Sequence, residues 1–368
     1  MKAGGAIIMN ILLSNNRWYI ILIVLFSFAP FFTSCTPKER DFPTSPTLRE
    51  LADQRGLLIG TAVGPGPLTN DPQYEEILST QFNSLTPENA FKWVATESDF
   101  QTYSWEDADA IVAFATQHNM RIRGHTLVWA NSFSSQFFPI LPDYVISAPD
   151  ATTLQQYIDD HIEAVVTRYG AVTDRWDVIN EPLEIFGAAV DQNVVTEALG
   201  EQWMVRAFQQ TRALAPDADL YINENLTESP GAKHNALVAL VERLLEAGAP
   251  IDGVGLQSHF LAGTPSVQEL VSVMQDWQAL GLEVAITELD IVTWLGNEKA
   301  QAIQYGNVMN ACLSVTACKE VTFWGFTDRY SWLNSFLGPW ATPLLFDADY
   351  LPKPSYAAVS EALDGEIN

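Results

Sequence analysis

The chain is predicted to fold as one α/β domain, a (β/α)8 TIM barrel. Three observations predict it. Eight short apolar runs are spread between residues 57 and 326, stretches of helical periodicity fill the gaps between them, and no linker divides residues 48–364. The strand candidates, in order, are Leu57–Gly60, Ser84–Thr86, Ile122–Val128, Trp176–Asn180, Leu220–Asn223, Val254–Ser258, Val284–Thr287 and Val321–Phe326. Each is short, rich in β-branched or aromatic residues, and bounded by polar or Gly/Pro positions. Helical spacing is clear in Leu154–Tyr169 and Ala236–Ala247, where apolar residues recur every three or four positions. Alternation of this kind implies a parallel sheet with crossover helices, and a chain of 368 residues is long enough to close it into a barrel. In that architecture functional groups gather at the C-terminal ends of the strands.

Composition narrows the function classes. Apolar residues make up 48% and charged residues 17%, the balance of a globular protein. The formal net charge of -26 repels phosphate backbones, so nucleic acid is not an expected partner, whereas a neutral polysaccharide is compatible. Residues 1–34 read as a leader outside the fold. Trp18–Phe32 is apolar for the length of a signal-peptide core and is short for a spanning helix. It runs into Thr33-Ser34-Cys35, and a small residue before a cysteine at this point resembles a bacterial lipobox. Cys35 would then carry the lipid anchor, with 35–47 as a tether and 48–364 as the barrel domain. The competing reading is a membrane anchor with an incidental cysteine; the apolar run stops at Cys35, which favours the lipobox. On that reading the protein is exported and becomes a bacterial membrane lipoprotein, periplasmic or at the cell surface. Cys312 and Cys318 form either a short disulfide loop or two free buried thiols. No Cys/His cluster has zinc spacing, so no metal is expected.

Two glutamates direct the functional reading. Trp176-Asp177-Val178-Ile179-Asn180-Glu181 and Glu283-Val284-Ala285-Ile286-Thr287-Glu288 are apolar, strand-like runs that end in a carboxylate. Burying a carboxylate costs hydration energy, so two in matched contexts suggest paired chemistry. An acid and a nucleophile facing each other across a glycosidic bond is one such pairing. Glu288 and Asp290 lie two apart on a strand and share a face, where His259 can bridge them.

Six motifs in order carry a family resemblance: Thr86-Pro87-Glu88-Asn89-Ala90-Phe91-Lys92-Trp93, Arg123-Gly124-His125-Thr126-Leu127-Val128-Trp129, Trp176 to Glu181, Gly255-Leu256-Gln257-Ser258-His259, Ile286-Thr287-Glu288-Leu289-Asp290, and Trp324 to Trp332. Together they resemble glycoside hydrolase family 10, the retaining endo-β-1,4-xylanases, over roughly residues 47 to 364. The resemblance implies that Glu181 is the acid/base and Glu288 the nucleophile, with carboxyl groups about 5–5.5 Å apart. It implies that His259 and Asp290 orient the nucleophile and that Asn180 bonds the sugar 2-hydroxyl. Glu88, Asn89, Lys92, His125, Trp129, Gln257, Trp324 and Trp332 would bind xylose units, the indoles packing on apolar sugar faces. It also implies a Cys312–Cys318 disulfide. Xylan and xylo-oligosaccharides would be the partners, no cofactor is implied, and a monomer is expected.

Two segments depart from the family pattern. Ala130-Asn131-Ser132 stands where His-Ser-Gln is usual after Trp129, and Asn223-Glu224-Asn225 stands where Asn-Asp-Tyr is usual after the fifth strand. Two further readings therefore stand beside the first: a related barrel cutting β-glucan, and a surface xylan-binding lipoprotein with weakened catalysis.

Overall fold

A computed structural model describes residues 46–293 and 296–365. The leader, Cys35 and nearly all of the tether lie outside the described residues. Nine strands follow one another: β1 (Leu58–Val63), β2 (Ser84–Pro87), β3 (Arg121–Trp129), β4 (Arg175–Asn180), β5 (Asp219–Glu224), β6 (Gly253–Leu256), β7 (His259–Phe260), β8 (Glu283–Ile291) and β9 (Cys318–Phe323). Their order in the sheet is β6-β5-β4-β3-β2-β1-β9-β8, and a β6–β8 pairing closes the ring. All eight barrel strands pair in parallel, with helices between them, so the predicted (β/α)8 barrel is the observed one.

The strands were readable as plain apolar runs because both of their faces are covered. β3 and β8 are buried from their second residue to their last. Side chains pointing inward fill the barrel; on its outer side, where the Trp176 ring stacks on Phe91 and Phe91 on Tyr169 of helix Ala151–Tyr169, a glycine makes room. A Cβ on Gly124 would lie 2.3 Å from the fully buried Trp176 ring, so only glycine fits opposite that indole. A charged layer shares the interior. Arg123 donates to Asp177 Oδ2 at 3.1 Å and to Glu320 Oε2 at 3.0 Å, and its guanidinium stacks 4.5 Å from the Tyr221 ring centre.

Helix ends carry local signals. Thr47 and Glu50 form a capping box at the start of Leu48–Arg55, and Ser266 and Glu269 form another before Val267–Ala279. Cys312 and Cys318 are joined in a disulfide that ties helix Glu298–Leu313 to the first residue of β9.

Several boundaries differ from the sequence expectation; β8, expected to end at Thr287, runs on to Ile291. β1 continues past Gly60 to Val63, through the buried but polar Thr61. β9 begins at Cys318 and stops at Phe323, because the chain turns at Gly325 (φ 95°). The largest difference is at the sixth strand. It was expected to run through Ser258 and end at His259, but β6 stops at Leu256 and Ser258 adopts a left-handed φ of 63°. His259 restarts as β7, which pairs only with β8, in the register His259↔Asp290 and Phe260↔Ile291. Gln257 and His259 therefore do not share a strand face.

Candidate active site

Glu181 and Glu288 sit at the same mouth of the barrel, just after β4 and within β8. Glu181 directly follows the last residue of β4, in a left-handed backbone conformation (φ 53°) that is costly for a residue with a side chain. Its N–H donates to Asn223 O at 2.8 Å, and Asn131 Nδ2 donates to its carbonyl at 3.2 Å. Those bonds hold the turn. The carboxylate is buried and receives three side-chain bonds: Trp129 Nε1 at 2.7 Å and Ser134 Oγ at 2.7 Å on Oε2, and Gln257 Nε2 at 3.1 Å on Oε1.

Glu288 is set in a different environment. His259 Nε2 lies 3.1 Å from its Oε2, while His259 Nδ1 lies 2.9 Å from Asp290 Oδ2. Trp332 Nε1 donates to the same Asp290 oxygen at 2.8 Å. Asn223 Nδ2 donates to Glu288 Oε1 at 2.7 Å and to Asn180 Oδ1 at 2.8 Å. Gln257 Nε2 reaches that Asn180 oxygen at 3.4 Å, so an unbroken chain of amides connects the two carboxylates. Burial by itself would raise the Glu288 carboxyl, but His125, the bond and charge of His259, and Lys92 outweigh it and hold it below its usual value. For His259, burial pushes down and the two carboxylates push up; the carboxylates win, and the imidazole sits well above its usual value. An imidazolium flanked by two carboxylates follows.

The remaining predicted residues form the walls. Lys92 Nζ donates to Asn89 Oδ1 at 2.8 Å and lies 4.9 Å from the Trp129 ring centre. Burial lowers the Lys92 ammonium, and Glu288, Glu88 and Glu181 resist that fall. Burial raises the Glu88 carboxyl against the pull of Lys92. His125 is buried, with Nδ1 3.0 Å from Asp177 Oδ2 and its ring edge-on to Trp324 at 5.1 Å. Trp324 also stands 6.1 Å from His259, which stands 5.2 Å from Trp332. The structure thus brings all thirteen of the predicted catalytic and binding residues (Glu88, Asn89, Lys92, His125, Trp129, Asn180, Glu181, Gln257, His259, Glu288, Asp290, Trp324 and Trp332) to one end of the barrel.

Three residues at the site are given no role by the sequence reading. Ser134, whose hydroxyl meets Glu181, lies in a Ser/Phe-rich loop that offers no local signal. Asn223 ends an apolar run in a buried amide, the same pattern that exposed the glutamates, and that pattern could have found it. Glu224 is fully buried and accepts from the Leu183 N–H at 2.9 Å; Lys233 pairs with it at 3.1 Å. Burial pushes the Glu224 carboxyl up to about 7, Lys233 opposing and Glu181 adding to the rise. The departing segment after Trp129 has its own use. Asn131 Nδ2 also donates to Leu183 O at 2.9 Å, and the Ser132 hydroxyl bonds Asp191 Oδ1 at 2.5 Å, so the loop after β3 is fastened to the loop after β4.

Comparison with known proteins gives the family. The family model of glycosyl hydrolase family 10 matches residues 47–362. Endo-1,4-beta-xylanase A of Phanerodontia chrysosporium is 38% identical over 322 residues, covering 85% of this chain and 76% of that protein. Endo-1,4-beta-xylanase B of Thermotoga neapolitana is 31% identical over 328 residues, covering 87% and 92%. Among solved structures, xylanase 10B from Thermotoga petrophila RKU-1 in complex with xylobiose superposes with a TM-score of 0.82 at 32% identity, over 89% of this chain and all of that one. By its sequence, its barrel and the match along nearly all of its described length, this chain belongs to glycosyl hydrolase family 10.

Proposed function

We propose that the chain is a retaining endo-β-1,4-xylanase in which Glu288 is the nucleophile and Glu181 the acid/base. The observation that carries this reading is the pairing of two buried carboxylates with unlike partners. Glu288 is surrounded by donors and cations that favour its ionised form: His259, Asn223 and Lys92. An ionised carboxylate is what attack on an anomeric carbon requires. Among the described residues the side chains bonded to the Glu181 carboxyl are the neutral Trp129, Ser134 and Gln257. The hydroxyl of Ser134 can donate or accept, so it stays bonded to Glu181 whether that carboxyl is charged or protonated.

In the first step Glu288 bonds the anomeric carbon while Glu181 gives its proton to the departing glycosidic oxygen. In the second, Glu181 takes a proton from water as the water displaces Glu288, and the configuration is retained. The His259–Asp290 pair fixes the orientation of Glu288 throughout. Asn180 has its Oδ1 held by Asn223 and Gln257, which leaves its Nδ2 for the 2-hydroxyl of the sugar. Glu88, Asn89, Lys92, His125, Gln257 and the indoles of Trp129, Trp324 and Trp332 line the space where xylose units would bind.

Glu181→Ala tests the acid role. Aryl β-xylobiosides with poor leaving groups are expected to lose about 10²–10⁴-fold in the glycosylation rate, the usual worth of a general acid. Dinitrophenyl β-xylobioside, whose leaving group needs no proton, should lose far less. Equal losses for both substrates would remove the assignment.

The leader supports export. We place residues 1–34 as a signal peptide, Cys35 as the lipidated residue, 35–47 as the tether and 48–364 as the catalytic domain. In a bacterial host Cys35→Ser is expected to abolish labelling with radioactive palmitate and to move the enzyme out of the membrane fraction. Identical fractionation of parent and variant would count against the anchor.

A further inference from the structure

We propose that Phe138 and Phe336 form a bar across one end of the cleft, and that this bar makes the enzyme favour short xylo-oligosaccharides over long xylan. The inference rests on the xylan-cleaving function proposed above and adds to it a limit on chain length.

The two rings come from loops that are not neighbours. Phe138 lies in the loop after β3, and Phe336 lies in the short helix Asn334–Leu337 after β9. In the barrel, β2 and β1 stand between β3 and β9. The shorter way round the ring between those two loops runs past the C-terminal ends of β2 and β1, and Glu88, Asn89 and Lys92 follow β2 at that end. The contact exists: the rings meet edge to face, with centroids 5.6 Å apart.

The bar is continuous with the site on both banks. Phe138 packs 6.1 Å from Trp129, the indole that bonds Glu181. Phe336 packs 5.3 Å from Trp332, the indole that bonds Asp290. One aromatic arc therefore runs from the partner of the acid/base to the partner of the nucleophile's relay. Each bank is anchored separately. The loop after β3 is held by the Asn131 and Ser132 bonds to the loop after β4. The loop after β9 packs on a small apolar cluster of Val292, Leu333 and Ala341 that is distinct from the main core.

An open cleft admits a polymer anywhere along its length, because the chain can leave at both ends. A closed end admits only what fits beneath the bar, and a longer chain enters when the rings part. A single edge-to-face contact is weak enough to break and re-form. Polymeric xylan is then cut more slowly than its chemistry allows, while a short substrate is unaffected.

The test uses the full-length chain carrying Phe336→Ala. Phe336 is 51% exposed, so its truncation leaves the barrel core intact. The expected result is a rise of about threefold or more in kcat/KM on linear polymeric xylan, with kcat/KM on an aryl β-xylobioside within about twofold of the parent. Phe138→Leu, which keeps an apolar cover on Trp129, should shift the ratio in the same direction and decides the matter if the first variant does not fold. An unchanged polymer-to-short ratio, or a fall in it, overturns the bar. Failure of the parent to cleave either substrate would instead overturn the xylanase reading itself.

Discussion

Glu288→Ala is expected to lower kcat/KM for an aryl β-xylobioside by on the order of 10⁴-fold or more, about 5 kcal/mol of lost transition-state stabilisation. The size follows from the covalent step. Without the carboxylate no glycosyl-enzyme forms, and among the described residues the only other carboxylate bonded to His259 is Asp290, whose Oδ2 also accepts from Trp332. Wild-type rates in that variant would end the double-displacement mechanism. The same residue predicts the acid side of the pH profile. Its carboxyl is held below the usual value, so the ionised, reactive form persists as pH falls through the ordinary glutamate range near about 4.3 and is lost only below it. The acid limb of kcat/KM set by Glu288 should therefore be centred below that pH. An acid limb centred above it would contradict the role given to His259 and Lys92.

Arg123→Leu is expected to destabilise the fold by about 3–5 kcal/mol, because it strips the cation from two buried carboxylates. Arg123, Asp177 and Glu320 are each 1% exposed or less. Arg175 remains 3.8 Å from Glu320, so Asp177 is the group left most exposed to the loss. Burial would raise the Asp177 carboxyl, but Arg123 and His125 hold it below its usual value. The stability it contributes is full above the unfolded value of about 3.9 and is lost as pH falls through its lower folded value. Urea unfolding at neutral pH measures the first effect. A loss under about 1 kcal/mol would show that the pair is dispensable. Adding Asp177→Asn and Glu320→Gln to the variant should restore part of the loss, since neutral amides tolerate burial better than orphaned charges.

The barrel was legible in the sequence for a physical reason. Strands covered on both faces must be apolar almost throughout, so β4, β5 and β8 announce themselves as short hydrophobic runs, and Glu181 and Glu288 stand out as charges that close such runs. What stayed hidden depends on contacts distant in sequence. The bond from Ser134 to Glu181 exists because the loop after β3 folds back and Asn131 fastens it to the carbonyls of Glu181 and Leu183. Nothing near Ser134 in the chain encodes that return. The break at Ser258 was equally silent, for a serine in a left-handed conformation has neither the glycine nor the asparagine that usually marks one. The pairing of Cys312 with Cys318 had two readings, and the approach of a helix end to a strand start decides between them.

That break has a mechanical outcome. Because β7 is detached from β6 and zipped onto β8, the imidazole of His259 rides on the strand that carries its two carboxylates. The Asp290–His259–Glu288 triad is therefore carried by one two-stranded ribbon, and the backbone of that ribbon, not a distant loop, sets the aim of the attacking oxygen.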